Sequence, residues 1–505
     1  MKLIFSVLFF LFSLVTYTQT NKVTVGKEYA TNRKNAFNGF IGETQTALFA
    51  VDYIYTSKRK QELIVRKFSK ADLSLIESVN IYSNPIEQHY AIPLELFFVN
   101  NQFYLFSQLD HIKENKGKVG LNIFDINCKP ISFTIIDTLE EVLKNEIDIK
   151  IYEDNRGFML HKNHLHKVAN KYVIDLKSID LNGKTLWQKE LLATNSMGSI
   201  SVEKIIQTKN ETYILCNYGY KNMSAESTLS NKYTLWVYNS KLNFMKEIVL
   251  RLKRKWINGI DIKLTKNNEL LVFGYVNDSR NFGINACFNT LIDANYEAKK
   301  VNYYKFTKAD FGLFVDSKKL NKTKQLSDFY LRKLIIQDDG SFYALGEMYY
   351  KYVDRIYDPR TNISTTTTNY FYNSILVSYF NKDGLLMWQK RVPKMQTSTE
   401  DYGFYSSFTA LNLSENKIAL YYNDNEKNFN YKVTDYINHK ELYNNRRHQP
   451  ISIIINNDGT MTKQILLTSK TNFMLYPKQS NPLSEDEIYL KSEYGRHSKI
   501  MKVVY

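Results

Sequence analysis

"SIDLNGKTLWQKEL", Ser178 to Leu191, and "SYFNKDGLLMWQKRV", Ser378 to Val392, say nearly the same thing in one chain. Each runs into a polar turn that ends in Gly, continues for three residues, and reaches Trp-Gln-Lys. A tight turn rich in Asn, Asp and Gly between two alternating apolar runs signals a β-hairpin. A hairpin that returns so far along the chain signals an internal repeat.

Other hairpins return as well. "LELFFVNNQFYLFS", "IKIYEDNRGFMLHK", "EKIIQTKNETYILC", "IDIKLTKNNELLVFG", "LRKLIIQDDGSFYALGE" and "FTALNLSENKIALYY" all read as strand, polar turn, strand. Fainter copies are "FNGFIGETQTALFAV" near the start and one leading into "EDEIYLKSEY" near the end. The first inward residue after each turn is Ala47, Phe103, Phe158, Tyr213, Leu270, Phe342, Ile418 or Ile488. These anchors recur about every 55 residues in the first half and about every 70 in the second. Most are followed two positions on by another apolar residue, such as Leu105, Leu160 or Val272, which is strand periodicity. A second hairpin follows each first one, as in "LIVRKFSKADLSLIESV" and "LWVYNSKLNFMKEIVL". Each unit therefore has four strands, A to D, and the opening stretch is the C–D hairpin.

Four-stranded antiparallel units in series resemble a β-propeller, an all-β fold. Eight units are expected, with seven blades, or two separate β domains, as alternatives. The last unit stops after a third strand, "SKIMKVVY". Its outer strand is expected from "NKVTVGKEY", Asn21 to Tyr29. "IDLNGKTLW" also resembles the tryptophan-docking hairpin of quinoprotein-type propellers at Ser178, Asp180, Gly183 and Trp187. The resemblance implies that Trp187 and Trp388 fill one structural slot between blades. That family's adjacent quinone-site cysteines are absent, so no cofactor is expected.

Of 505 residues 44% are hydrophobic, enough for an extensive core and against wholesale disorder. Thirty-eight Tyr and 30 Phe favour pleated, half-buried surfaces. The net charge of +16 is scattered, the densest runs being "RLKRK" and "SKRK". No nucleic-acid recognition motif accompanies it, so nucleic acid is not an expected partner. Lys2, the apolar run Leu3 to Val15 and the Thr16-x-Thr18 site form an export signal over residues 1–18. The mature chain, 19–505, is expected as a single monomeric propeller without a membrane span, in the periplasm, at the cell surface or secreted. Cys128, Cys216 and Cys287 are too few and too far apart for a disulfide scaffold, and read as buried strand residues.

In a meandering blade the A–B and C–D turns share one face and the B–C and D–A connections the other. The short turns all read as the first kind. The long segments, about 306–331, 350–373 and 424–450, read as loops of the second kind, where function concentrates. All eight His residues fall on that side. The expected ligand-binding residues are Arg355, Tyr357, Tyr370, Tyr372, Tyr436, His439, Tyr443, Arg446 and Arg447, because Tyr and Arg give rigid area and forked hydrogen bonding. "HKNHLH", His161 to His166, is a possible metal segment, though no carboxylate stands at ligand spacing. Asp354, Asp358, Glu426 and Asp435 are carboxylates on the same side. No G-x-S-x-G elbow or Asp-box pattern is present, so no catalytic residue is assigned. These readings leave an exported binding or scaffold propeller for an extracellular protein, peptide or glycan. The alternative is an extracellular propeller enzyme acting on a polysaccharide or another polymer.

Overall fold

The structure, a computed structural model, describes residues 22–505 except 33–34, 58–59, 83–88, 112–115, 140–145, 153, 167–170, 193–199, 219–228, 231, 240–242, 361, 431–438, 444–445 and 481. The expected export signal lies outside the described residues.

Eight antiparallel sheets follow one another along the chain, each built on a four-strand meander. Blade two, for example, runs His89–Val99, Gln102–His111, Lys116–Phe124 and Pro130–Leu139, paired in that order. Blade eight takes Met474–Leu475, Glu487–Tyr494 and His497–Val504 from the end of the chain and Lys22–Val25 from near its start. Lys22 pairs with Val504 and Val25 with Met501. Tyr29 and Ala30 then pair with Ser498 and His497. The chain is an eight-bladed β-propeller closed by its N-terminal strand.

Each of the eight anchors lies within the first three residues of a B strand, and none is more than 4% exposed. The buried apolar side chains fall into eight clusters, each drawn from two adjacent blades. Phe49 and Val51 of blade one pack with Phe103 and Leu105 of blade two. The last seam joins Tyr489 and Ile500 of blade eight to Phe40 and Leu48 of blade one. Eight seams for eight blades mean a closed ring; an open fan would have seven.

The opening repeat belongs to these seams. Trp187 packs on the cluster between blades three and four, Trp388 on that between six and seven. Both hairpins shift register at the same place, Ser178/Ile179 and Tyr379/Phe380. Asp180 Oδ1 accepts from the Asn182 and Lys184 amides at 2.9 Å, and Asn381 Oδ1 from Asp383 and Leu385 at 3.1 and 2.8 Å. Asp180 and Asn381 thus close the two turns. Gly384 adopts φ +74°, and a Cβ there would stand 2.3 Å from Asn289 Oδ1 of blade five. Asn289 Nδ2 and Tyr304 OH both donate to the Gly384 carbonyl at 3.0 Å. Trp388 Nε1 donates to the Asn457 carbonyl of blade seven at 2.8 Å. The C–D turn therefore docks on the preceding blade and its Trp on the next. Both Trp are half-buried, not enclosed.

Three expectations need correction. The segment 350–373 is not a loop. Strand B of blade six, Phe342–Asp358, and strand C, Ile363–Phe380, continue as a paired arm as far as Asp358 opposite Ile363. Its Thr, Tyr and Ile residues favour strand, but with both faces in solvent they carry no apolar alternation to reveal it. The rule of short A–B turns fails in blade eight, where residues 476–486 cross between A and B while residues 495–496 close B–C. Cys128 lies in the C–D turn of blade two at φ +61°, whereas Cys216 and Cys287 are buried strand residues; all three are free thiols. Among the described residues no helix is long and apolar enough to cross a membrane.

Candidate functional site

The innermost A strands of blades three to seven, with the blade-eight crossing, enclose a central cavity of about 860 Å³. Its wall is basic. Lys150 comes from blade three, Lys204 from blade four, Lys263 and Lys266 from blade five, Arg332 and Lys333 from blade six, and Lys478 from the crossing. Asp261 is the one acidic residue among those lining it.

Register explains how the wall is built. Glu95, Asp148, Asp261 and Lys333 pair with Phe106, His161, Phe273 and Leu345, each three residues beyond its blade's anchor. One slot of the repeat thus carries acid in blades two, three and five and a base in blade six. Lys150 and Lys263 share the slot two residues on.

Most of the bases have acidic partners. Lys150 Nζ is 3.0 Å from Asp148, Lys204 Nζ 2.5 Å from Asp261, and Lys266 Nζ 2.5 Å from Asp338. Arg332 Nε donates to Glu347 Oε2 at 3.0 Å. Glu347 is fully buried, and Lys394 Nζ approaches its other oxygen at 2.9 Å. Burial opposes the Glu347 charge, but Lys394 and Arg332 prevail and hold its carboxyl below the ordinary range.

Lys333 differs. Its ammonium donates to the Ala410 carbonyl of blade seven at 2.8 Å, and no carboxylate pairs with it among the described residues. Burial first, and then the Lys263 charge, pull its pKa down to about 8. On the innermost strand of blade two, burial pushes the Glu95 carboxyl up; Lys150 opposes this and Asp148 adds to it.

The residues expected from the sequence lie apart from this wall, on the arm and the blade-seven loop. Gln396–Thr399, after strand D of blade six, pairs with Asn369–Tyr372 of the arm and, in parallel, with Leu442–Tyr443 of the loop. The two insertions are joined by this strand. Cross-strand partners place Arg355, Tyr357, Tyr370 and Tyr372 on one side of the extended sheet and Tyr443 on the other. Arg355 and Tyr357 are exposed, Tyr370 is half-buried and Tyr372 is buried. Arg446 and Arg447 are exposed at the loop's return, and Tyr436 lies outside the described residues.

His439 is turned inward. Its Nε2 is 3.2 Å from Asp424 Oδ1, which also accepts from Asn428 Nδ2 at 2.7 Å. Asn428 in turn clasps both the carbonyl and the amide of Lys440, so this group pins the loop. Lys478 links the two regions, lining the cavity and donating to Tyr372 OH at 3.2 Å. His161 is buried in mid-strand, 3.8 Å from Asp148; the side chains of His164 and His166 lie outside those described. Asp354 is on the arm, Glu426 opens a short helical turn, and Asp435 and the Asp358 side chain are not described. No three His, Cys, Asp or Glu among the described residues are placed to hold a metal.

Sequence reasoning missed the wall, although its signal was present. Asp148-x-Lys150 and Asp261-x-Lys263 stand at matching places in two repeats, inside strands otherwise apolar.

No protein-family model matches the sequence, and no curated protein matches it. Solved structures share the fold. The propeller domain of the Trilobed protease from Pyrococcus furiosus aligns over 86% of this chain and 99% of its own at 8% identity, TM-score 0.38. A polysaccharide lyase described as an ulvan lyase aligns over 88% and 99% at 8% identity, TM-score 0.40. Prolyl oligopeptidase B from Galerina marginata aligns over 94% at 9% identity, TM-score 0.39, and this chain spans 56% of its length.

Proposed function

We propose that the protein is an exported binding propeller that takes an acidic glycan into its central channel. The basic wall carries this reading: seven Lys and Arg face a cavity of about 860 Å³ with one Asp among them. That volume suits a ligand of a few sugar units. An excess of positive charge in a concave, low-dielectric wall attracts and concentrates anions. The export segment at residues 1–18 directs the choice of ligand, since acidic polysaccharides are polyanions met outside the cell. A polymer longer than the channel would continue past Lys478 towards Tyr370, Arg355 and Tyr357 of the arm.

The test is calorimetric titration with uronate oligosaccharides and with neutral oligosaccharides of equal length. The acidic series should bind, and its affinity should fall at least tenfold between about 50 and 500 mM salt as charges are screened. Equal binding of the neutral series, or no binding of uronate and sulfated oligosaccharides, contradicts the proposal.

One observation favours a second reading, an enzyme acting on the same polymer. Glu95 holds the repeat's charged register slot on the innermost strand of blade two, its carboxyl pushed up by burial, and Asp148 occupies that slot in the next blade. A carboxyl that burial makes hold its proton more tightly is better suited to donate to a leaving oxygen. Chain shortening by the wild type that Glu95→Gln abolishes would select this reading.

A further inference from the structure

We propose that Lys333 and Lys263 form the seat for one carboxylate or sulfate group of the ligand, and that filling the seat takes up a proton. The inference rests on the acidic-ligand reading of the channel. Lys333 is the base that carries it, because its surroundings lack a counter-charge. A charged group withdrawn from water is costly unless paired. Lys150, Lys204, Lys266 and Arg332 each have a carboxylate at 3.0 Å or less. Lys333 has a carbonyl, that of Ala410.

The charged groups around it are accounted for strand by strand. Blade five presents Lys263, whose Nζ reaches the Leu334 carbonyl at 3.5 Å beside Lys333. The acid of that strand, Asp261, is engaged by Lys204 of blade four. On its own strand Arg332 is paired with the buried Glu347. Blade seven contributes the carbonyl and the Ser407–Ala410 stretch of the cavity wall, without a charge. Two amines from adjacent blades therefore face the same cavity, and none of the described carboxylates pairs with Lys333. An entering carboxylate or sulfate meets both amines and supplies the counter-charge that Lys333 lacks.

Proton uptake follows from the same contacts. With Lys333 held near 8, a good fraction of the protein has that amine neutral at pH 8.5. An anion in the seat favours the charged form, so binding draws a proton from the buffer. Above about pH 8 the affinity should fall with rising pH, approaching tenfold per unit. Asp148, Asp261 and Glu95, which hold this register slot in other blades, cannot serve as such a seat.

The experiment is calorimetry at pH 8.5, in two buffers of different ionisation enthalpy, with a hexauronate oligosaccharide and separately with inorganic sulfate. Wild type should take up a substantial fraction of a proton with either probe. Lys333→Met should lose at least tenfold in hexauronate affinity and show no uptake. Lys333→Arg, which keeps charge without titrating, should retain binding and lose the uptake. Wild-type binding of hexauronate without uptake, or equal affinity in Lys333→Met, overturns the seat and leaves the channel reading standing. Failure of the hexauronate with sulfate-linked uptake intact overturns the acidic-glycan reading and keeps the seat. Absence of both overturns both. Circular dichroism of the variants confirms that the sheet content is unchanged.

Discussion

The C–D hairpins and the innermost strands are two edges of the same sheets, and they repeat in opposite ways. Along the C–D edge, blades three and six keep Gly183 and Gly384 in the turn, the same register shift, and Trp187 and Trp388 against the next seam. Along the inner edge one slot carries Glu95, Asp148, Asp261 and Lys333. Where blades must pack on one another, the same solution returns. Where they face the channel, packing no longer dictates the side chain, and its charge is free to vary. In a repeat protein the conserved copy reports the architecture, and departures between copies at one slot report the chemistry.

The seam half of this comparison breaks most severely at the closure. Removing residues 22–30 takes away the outer strand of blade eight and Tyr29, which lies buried between Phe68 and Arg66. Thermal unfolding of that deletion should show loss of more than about 5 kcal/mol, and no cooperative ring if the seam cannot form. An unchanged melting temperature would place closure elsewhere. Trp388→Ala is the next largest. It removes a half-buried indole and its bond to Asn457, and should cost about 2–3 kcal/mol in denaturant titration. Trp187→Ala, at the equivalent slot, should cost about 1–2 kcal/mol.

The fold was legible because its signals are local and periodic. Ala47, Phe103, Phe158 and the other five anchors are buried as their period-two pattern demands, and closure through Lys22–Val25 follows from a last unit one strand short. Two regions were hidden for physical reasons. On the arm, Val353 and Tyr357 are exposed on one side and Tyr352 and Ile356 on the other, so no buried face imposed alternation. In blade eight, strand A shrinks to Met474–Leu475, and Pro477 and Lys478 of the following segment line the cavity. The basic wall was harder to read, for a different reason. Lys150, Lys204, Lys263, Lys333 and Lys478 are far apart in sequence, and only ring closure brings them round one cavity. His439 and Tyr372, drawn from loop position and residue type, are buried by contacts that sequence proximity does not show.

The channel half of the comparison is tested most directly by melting the wild type and Lys333→Met side by side across pH, with and without an acidic oligosaccharide. The folded protein holds the Lys333 proton more weakly than the unfolded chain does. The resulting penalty is full below about pH 8 and fades as pH rises from there towards the ordinary lysine range. Without ligand at pH 7, Lys333→Met should therefore melt higher than wild type, by about 1–3 °C, since an unpaired partly buried charge has been replaced by an apolar chain of similar length. The gap should narrow by pH 10. With ligand, the wild type should rise by more than the variant, so that the order of the two curves reverses. A variant that melts below wild type without ligand, or that ligand stabilises equally, would contradict the claim that this wall holds a charge kept for binding.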